Sequence, residues 1–323
     1  MREIRLIAAI NEALSEEMEK DEKVFILGED VQQATFGVTR RLVQKFGPDR
    51  VMDTPLAETA IAGAAVGSAM TGYRPIADMM FADFMWIAAD EILSKAAKWH
   101  FCQGGKVTLP VVFMAAIGGG GKLGAEHSQS PSSVYMHTPG IKLVIPSTPY
   151  DAKGLMKTAI RDNNPVVYFY HKGLLGLKGD VPEEEYTIPF GQADVKREGS
   201  DVTVVATGMM VHYALGVAKE LEGKVSVEVI DPRTLEPFDI ETIVESVKKT
   251  GRAVIVDEDT KRCGVTSEIA TQIMEKAFDY LDAPIQRVAA ADVPIPAGYL
   301  EAHVLPQPRD IATAIEAVTG NEF

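Results

Sequence analysis

The sequence predicts an α/β fold made of two successive domains. Apolar runs of strand length alternate with helix-period patterns, and the alternation restarts after a stretch at residues 173–189 that is rich in Gly, Pro and acidic residues. Residues 1–23 acquire acidic side chains almost at once, the pattern of an amphipathic helix rather than of a secretory signal or an Arg-rich transit peptide. Strands are expected at residues 24–27, 76–81, 110–115, 142–145 and 166–170, with helices between them. After the first strand, Thr54 is a capping residue type and Pro55 suits the first helical position. A helix of small residues should therefore start there, run through Ile61, Ala64, Ala65 and Met70, and stop near Gly72.

The interruption, with its run Glu183-Glu184-Glu185, reads as a surface connection, so the domains are placed at residues 1–185 and 186–323. In the second domain strands are expected at residues 202–206, 225–230, 253–256 and 285–288. Helices are expected at residues 211–221, 240–248, 266–278 and 310–319. No repeat of solenoid length is present.

The 323 residues are 46% hydrophobic, enough to bury two cores. Lys and Arg number 32 against 46 Asp and Glu, and the net charge of -14 disfavours a nucleic-acid backbone or an anionic membrane as partner. Ser68, Gly72, Arg74 and Asp78 break the longest small-residue stretch, so no membrane span is expected. Cys102 and Cys263 can form no disulfide framework and lack metal-ligand spacing, which points to the reducing cytoplasm.

Glu58 stands in the first turn of the small-residue helix. There it either complements the helix dipole or serves chemistry. The run Gly118-Gly119-Gly120-Gly121 formally completes G-x-G-x-x-G with Gly124, but Pro131 follows shortly and no acid stands where a dinucleotide fingerprint needs one. Gly121-Lys122 is followed by Leu123, not by the Ser or Thr of a phosphate loop. What remains is a backbone-exposing loop leading to His127. A histidine in such a loop is a candidate for catalysis and equally for structural hydrogen bonding. The other five histidines have no zinc spacing, and no G-x-S-x-G elbow occurs.

Several segments, in order, resemble one family. They are residues 53–58, Phe81-Ala82-Asp83-Phe84, residues 124–130 with His-Ser-Gln, residues 146–154, Arg161-Asp162-Asn163-Asn164-Pro165, residues 198–203 and Asp231-Pro232-Arg233-Thr234. The family is the β subunit of the thiamine-diphosphate-dependent first component of 2-oxo acid dehydrogenase complexes. The resemblance covers nearly the whole chain, and it implies a transketolase-like pyrimidine-binding domain followed by a transketolase carboxy-terminal domain.

By this resemblance Glu58 matches the glutamate that hydrogen-bonds a ring nitrogen of the cofactor's aminopyrimidine, favouring the tautomer that deprotonates the thiazolium carbon. Phe84 matches the aromatic residue on the pyrimidine, and Leu56 and Met80 match neighbouring wall positions; ordinary core is the alternative for all three. His127 matches a histidine that handles protons near the thiazolium and guides the lipoyl group. Asp162 and Asn164 align with a loop that binds potassium in some members, a capped turn being the alternative. The Gly-Asp-Gly motif and later Asn that hold Mg2+ on the diphosphate are missing from the sequence. The resemblance therefore implies that an α subunit supplies Mg2+, in an α2β2 heterotetramer serving a lipoyl-bearing acyltransferase.

Residues 186–191, Arg262-Cys263 and residues 281–285 look most like acetoin dehydrogenase β subunits, with pyruvate dehydrogenase β subunits next. Branched-chain 2-oxo acids complete the substrate choices. Met114 departs from the family, which commonly has arginine at that position. The alternatives outside this function are a noncatalytic assembly subunit of the same fold and a self-sufficient nucleotide-dependent oxidoreductase.

Overall fold

The computed structural model describes residues 1–321 and has an α/β architecture in two compact units. The first comprises Met1–Ile117 and Val134–Phe190; the second comprises Gly118–Ser133 and Gly191–Phe323. The chain passes to the second unit for the last time after Phe190. In addition, the glycine-rich stretch ahead of Val134 groups with the second unit although the surrounding chain belongs to the first. No helix among the described residues is long and apolar enough to cross a membrane.

The first unit opens with a strand, β1 (Arg2–Arg5), that pairs antiparallel with β8 (Lys178–Val181). Its main sheet contains β2 (Val24–Gly28), β3 (Val51–Asp53), β4 (Arg74–Phe81), β5 (Val112–Ile117), β6 (Lys142–Val144) and β7 (Val166–His171). These lie in the order β6-β7-β5-β4-β2-β3, and every pairing is parallel. All six residues of β5 and of β7 are buried, which is why both read as unbroken apolar runs rather than alternating ones.

Helices α1 (Leu6–Lys20) and α6 (Pro149–Arg161) pack against each other in this unit. Helix α6 starts where the Thr148 hydroxyl accepts the Asp151 N–H at 3.1 Å and Pro149 takes the first turn. The Arg161 guanidinium forks onto both Glu17 oxygens at 2.7 Å, while Lys153 and Lys157, both buried, pair with Glu16. Paired in this way, lysines inside an α/β layer avoid the cost of an isolated buried charge. Shorter helices are α2 (Leu42–Phe46), α4 (Ala97–Cys102) and α5 (Ser132–Met136).

Helix α3 (Glu58–Met70) corrects the expectation for its start. The capping position is Ala57, with φ -157° and no side-chain cap, rather than Thr54. The Thr54 N–H donates to the Gly28 carbonyl at 3.0 Å, which holds it at the end of β3, and residues 55–57 are irregular with a bend at Leu56 before the helix starts. Glu58 thereby becomes the first helical residue.

The second unit's sheet contains β9 (Asp194–Arg197), β10 (Val202–Ala206), β11 (Val227–Asp231), β13 (Ala253–Thr260) and β14 (Gln286–Ala290), in the order β14-β13-β10-β11-β9. Only β9, at the edge, is antiparallel. A short strand, β12 (Thr234–Glu236), follows β11. Helices α7 (Met209–Glu220), α8 (Ile240–Thr250), α9 (Val265–Ala277) and α10 (Pro308–Thr319) complete the unit. Asp239 caps α8 by accepting the Thr242 N–H, and Gly251 ends it in the left-handed conformation.

Candidate active site

Glu58 is 8% exposed, yet its carboxylate makes no hydrogen bond and no ion pair with any described residue. The carboxylate oxygens are therefore free to accept a donor from a ligand. The Thr54 hydroxyl, four residues earlier, is buried without a partner. The next residue, Thr59, donates its hydroxyl to the Ile87 carbonyl at 2.9 Å, tying the first turn of α3 to the segment that follows Phe84.

Phe84 lies in the 3-10 turn Ala82–Trp86 that follows β4 directly. Its ring meets Phe81 edge-on with centroids 5.5 Å apart, and Phe81 in turn meets Phe36 at 5.0 Å. Met80 has φ +58°, in the left-handed region, at the point where the ladder between β4 and β5 shifts register. The Asp78 carboxylate accepts the Met80 N–H at 3.0 Å and so holds that kink. Leu56 is 67% exposed, and Met52, Trp86 and Ile87 on the bordering segments are also exposed apolar side chains. Ordinary core does not account for Leu56.

Asp78 is the residue that the sequence reading overlooked. Its signal was an acid inside the apolar run Ile76-Ala77-Asp78-Met79-Met80. It is buried, and desolvation pushes its carboxyl up to about 6 against the opposing hydrogen bond from Met80. Its neighbour across the ladder is Met114, which brings no charge to neutralise it. On its other side the backbone of β2 approaches so closely that a Cβ at Gly28 would fall on the Asp78 carbonyl oxygen.

His127 lies in the 118–133 segment, which groups with the second unit, whereas Glu58, Leu56, Met80 and Phe84 belong to the first. The glycine run ahead of His127 is held by carboxylates. The Gly119 N–H donates to Glu258 at 3.3 Å, the Gly120 N–H to Glu301, and the Lys122 N–H to Glu301 at 2.8 Å. Backbone donors engaged by carboxylates cannot cradle a phosphate, which is the physical reason this loop is no nucleotide site. Further along, Asp259 accepts the Ser133 N–H at 2.9 Å. Desolvation raises the carboxyl of Asp259, and that of Asp257, which is hydrogen-bonded by Thr207, is pushed up to about 7 by burial and then by the Asp259 charge.

The Asp162–Asn164 turn is crowded with the chain's own donors. Asp162 pairs with the Lys142 ammonium and caps the Asn164 N–H at 2.8 Å. Arg74 donates to the carbonyls of Ile160 and Asp162 at 3.0 Å and to the Asn163 side chain at 2.6 Å. The capped turn expected as the alternative is therefore present. No group of three His, Cys, Asp or Glu among the described residues could hold a metal.

The residues fit the pyrimidine half of a thiamine site. A carboxylate lacks a donor in its own chain, an aromatic ring stands on the segment tied to its helix, and exposed apolar Leu56 lies two residues before it. They do not fit the diphosphate half, for which the chain has no motif.

Two family models match the chain: the transketolase pyrimidine binding domain over residues 2–178 and the transketolase C-terminal domain over residues 191–311. The chain is 50% identical over 292 residues to the 2-oxoisovalerate dehydrogenase subunit beta of Bacillus subtilis, covering 89% of each chain. It is 46% identical over 320 residues to the pyruvate dehydrogenase E1 component subunit beta of Rickettsia felis, covering 98% of each. It is also 45% identical over 328 residues to the beta subunit of the acetoin:2,6-dichlorophenolindophenol oxidoreductase of Cupriavidus necator, covering 97% of this chain and 96% of that one. Among solved structures, a split-gene transketolase described as an inactive beta4 tetramer superposes with a TM-score of 0.81 at 26% identity, covering 98% of both chains.

Proposed function

The chain belongs to the family of transketolase-like β subunits of 2-oxo acid and acetoin dehydrogenases, and from that premise we propose that it forms one half of a thiamine-diphosphate site completed by an α subunit. The observation that carries this proposal is Glu58, a carboxylate 8% exposed and without a donor in its own chain.

Thiamine diphosphate, when bound, supplies the electron sink for carbon–carbon cleavage. The protein's task is to place and protonate it. Glu58 would hold a ring nitrogen of the aminopyrimidine through a hydrogen bond at a carboxyl oxygen and would exchange a proton there. Phe84 would offer the ring an aromatic face, and Leu56 and Met80 would form apolar wall positions around it. His127 moves a proton at a ring nitrogen where the acyl acceptor enters.

The α subunit holds Mg2+ and the diphosphate, in an α2β2 heterotetramer that passes the acyl unit to a lipoyl-bearing acyltransferase. The exposed Leu56, two residues before Glu58, and Ile87, whose carbonyl accepts the Thr59 hydroxyl, suit a surface that another chain covers. Potassium is proposed at the Asp162–Asn164 turn with one restriction. It would have to compete with Lys142 for the Asp162 carboxylate and with Arg74 for the Asp162 carbonyl. The enzyme is assigned to the cytoplasm. For substrate, identities of 50%, 46% and 45% to branched-chain, pyruvate and acetoin enzymes lie too close to choose among them.

The test is coexpression with the α subunit, followed by dye reduction with pyruvate, branched-chain 2-oxo acids and acetoin in parallel. Activity should require both chains, thiamine diphosphate and Mg2+, and Glu58→Gln should lower it by about 10²-fold or more, the range of a lost acid–base partner. Full activity of Glu58→Gln in the tetramer would show a subunit that contributes contacts only.

A further inference from the structure

We propose that Glu301 is a positioning residue for the His127 loop. Glu301 is buried, in the 3-10 turn Gly298–His303, and its two carboxylate oxygens accept the N–H groups of Gly120 and Lys122. The grip is reinforced from the same turn. The Gly298 N–H donates to the Lys122 carbonyl at 3.1 Å, and Leu123 forms an isolated antiparallel bridge with Ala297. The Glu301 backbone carbonyl is itself anchored, accepting the N–H groups of Val304 and Leu305 at 3.1 Å.

Two glycines of the loop lie against this turn. A Cβ at Gly119 would collide with Leu305 and crowd the Glu301 Oε1 at 3.1 Å, so the backbone approaches as closely as a glycine allows. Gly120, which meets open space on its Cβ side, has φ +85°, a conformation that favours glycine, and its N–H donates to Glu301. Charge-assisted hydrogen bonds of this kind are about twice as strong as neutral ones. Glu301 therefore sets the path of the backbone that reaches His127 five residues after Lys122.

The functional half of this proposal rests on His127 meeting the acyl acceptor. Glu301 then acts through the loop, touching neither cofactor nor acceptor, and it governs delivery to a cyclic disulfide acceptor more than the earlier cleavage.

The test uses the reconstituted α2β2 enzyme with Glu301→Ala and Glu301→Gln, alone and combined with His127→Ala. Amide hydrogen exchange over residues 118–127 should quicken about 10- to 100-fold in Glu301→Ala, as expected for losing two such bonds. Glu301→Gln, which keeps one acceptor oxygen but faces a donor N–H with its amide, should fall between. The rate with lipoamide should drop about tenfold more than the rate of dye reduction, a difference of about 1.4 kcal/mol in barrier. Adding Glu301→Ala to His127→Ala should cost nothing further, because the loop's only contribution is already lost. Unchanged exchange would overturn the grip itself. Multiplicative losses in the double variant would overturn action through His127. Full lipoamide activity of His127→Ala alone would overturn the assignment of His127, and the positioning role with it, by a result that the exchange data do not share.

Discussion

Asp78→Asn should make the protein more stable at pH 8 and slightly less stable at pH 4. Asp78 is buried in the first sheet with one backbone donor and an uncharged ladder neighbour, and its carboxyl is raised from 3.8 to about 6 by desolvation. For an acid raised in this way, the contribution to stability is fully present below the unfolded value and is lost as pH rises through the folded one. The gap of about two pH units corresponds to roughly 3 kcal/mol lost by the wild type at pH 8. Asparagine keeps the oxygen that accepts the Met80 N–H and removes the ionisation. Its new N–H2 needs a partner, at a cost of about 1 kcal/mol if none is found. The Tyr170 hydroxyl is nearby and unpartnered; its own ionisation is suppressed first by burial and then by Asp78. The net expectation is a gain of about 2 kcal/mol at pH 8 and a loss of about 1 kcal/mol at pH 4, where the wild-type carboxyl is already neutral when folded. Thermal unfolding of the assembled enzyme across that range reads the difference directly. Midpoints that stay parallel in wild type and variant would refute a buried, unneutralised carboxylate.

Gly28→Ala should destabilise the first unit by about 2 to 3 kcal/mol, since the added methyl falls on the Asp78 backbone and overpacking has no room to relax; an unchanged unfolding midpoint would count against the close approach. Potassium chloride should raise the unfolding midpoint above that in choline chloride at equal ionic strength, if the ion displaces Arg74 or Lys142 from the Asp162–Asn164 turn. Equal midpoints would leave Arg74 and Lys142 as the turn's only cations.

The central strands were legible because buried parallel strands read as near-continuous apolar runs: residues 166–170 read as a strand from composition alone, and β7 is buried throughout. Strands β1, β3 and β8 were not legible. Each is short, half-exposed and defined by pairing with a partner distant in sequence, such as Arg2 with Val181. The start of α3 was misread for a related reason. Thr54 and Pro55 have the local chemistry of a helix start, but a hydrogen bond from Thr54 back to Gly28 keeps the chain extended. Of the proposed site, Glu58, Phe84 and His127 are the groups the sequence offers, because their neighbours form motifs. It did not yield Asp78 or Glu301. Their roles depend on accepting particular backbone N–H groups, 181 residues away in the case of Glu301 and Gly120.

That separation has a consequence for biosynthesis. The glycine loop leaves the ribosome early, but the carboxylate that shapes it follows 181 residues later, roughly 10 to 40 seconds at ordinary translation rates. During that interval the surrounding chain of the first unit can form its sheet while the loop stays unshaped. For the same reason, cutting the chain at Phe190 and Gly191 would not liberate an intact second unit. The fragment would retain Glu258, Asp259 and Glu301 but lose the N–H groups they hold, so a separately expressed second unit would need a peptide of residues 118–133 to complete it.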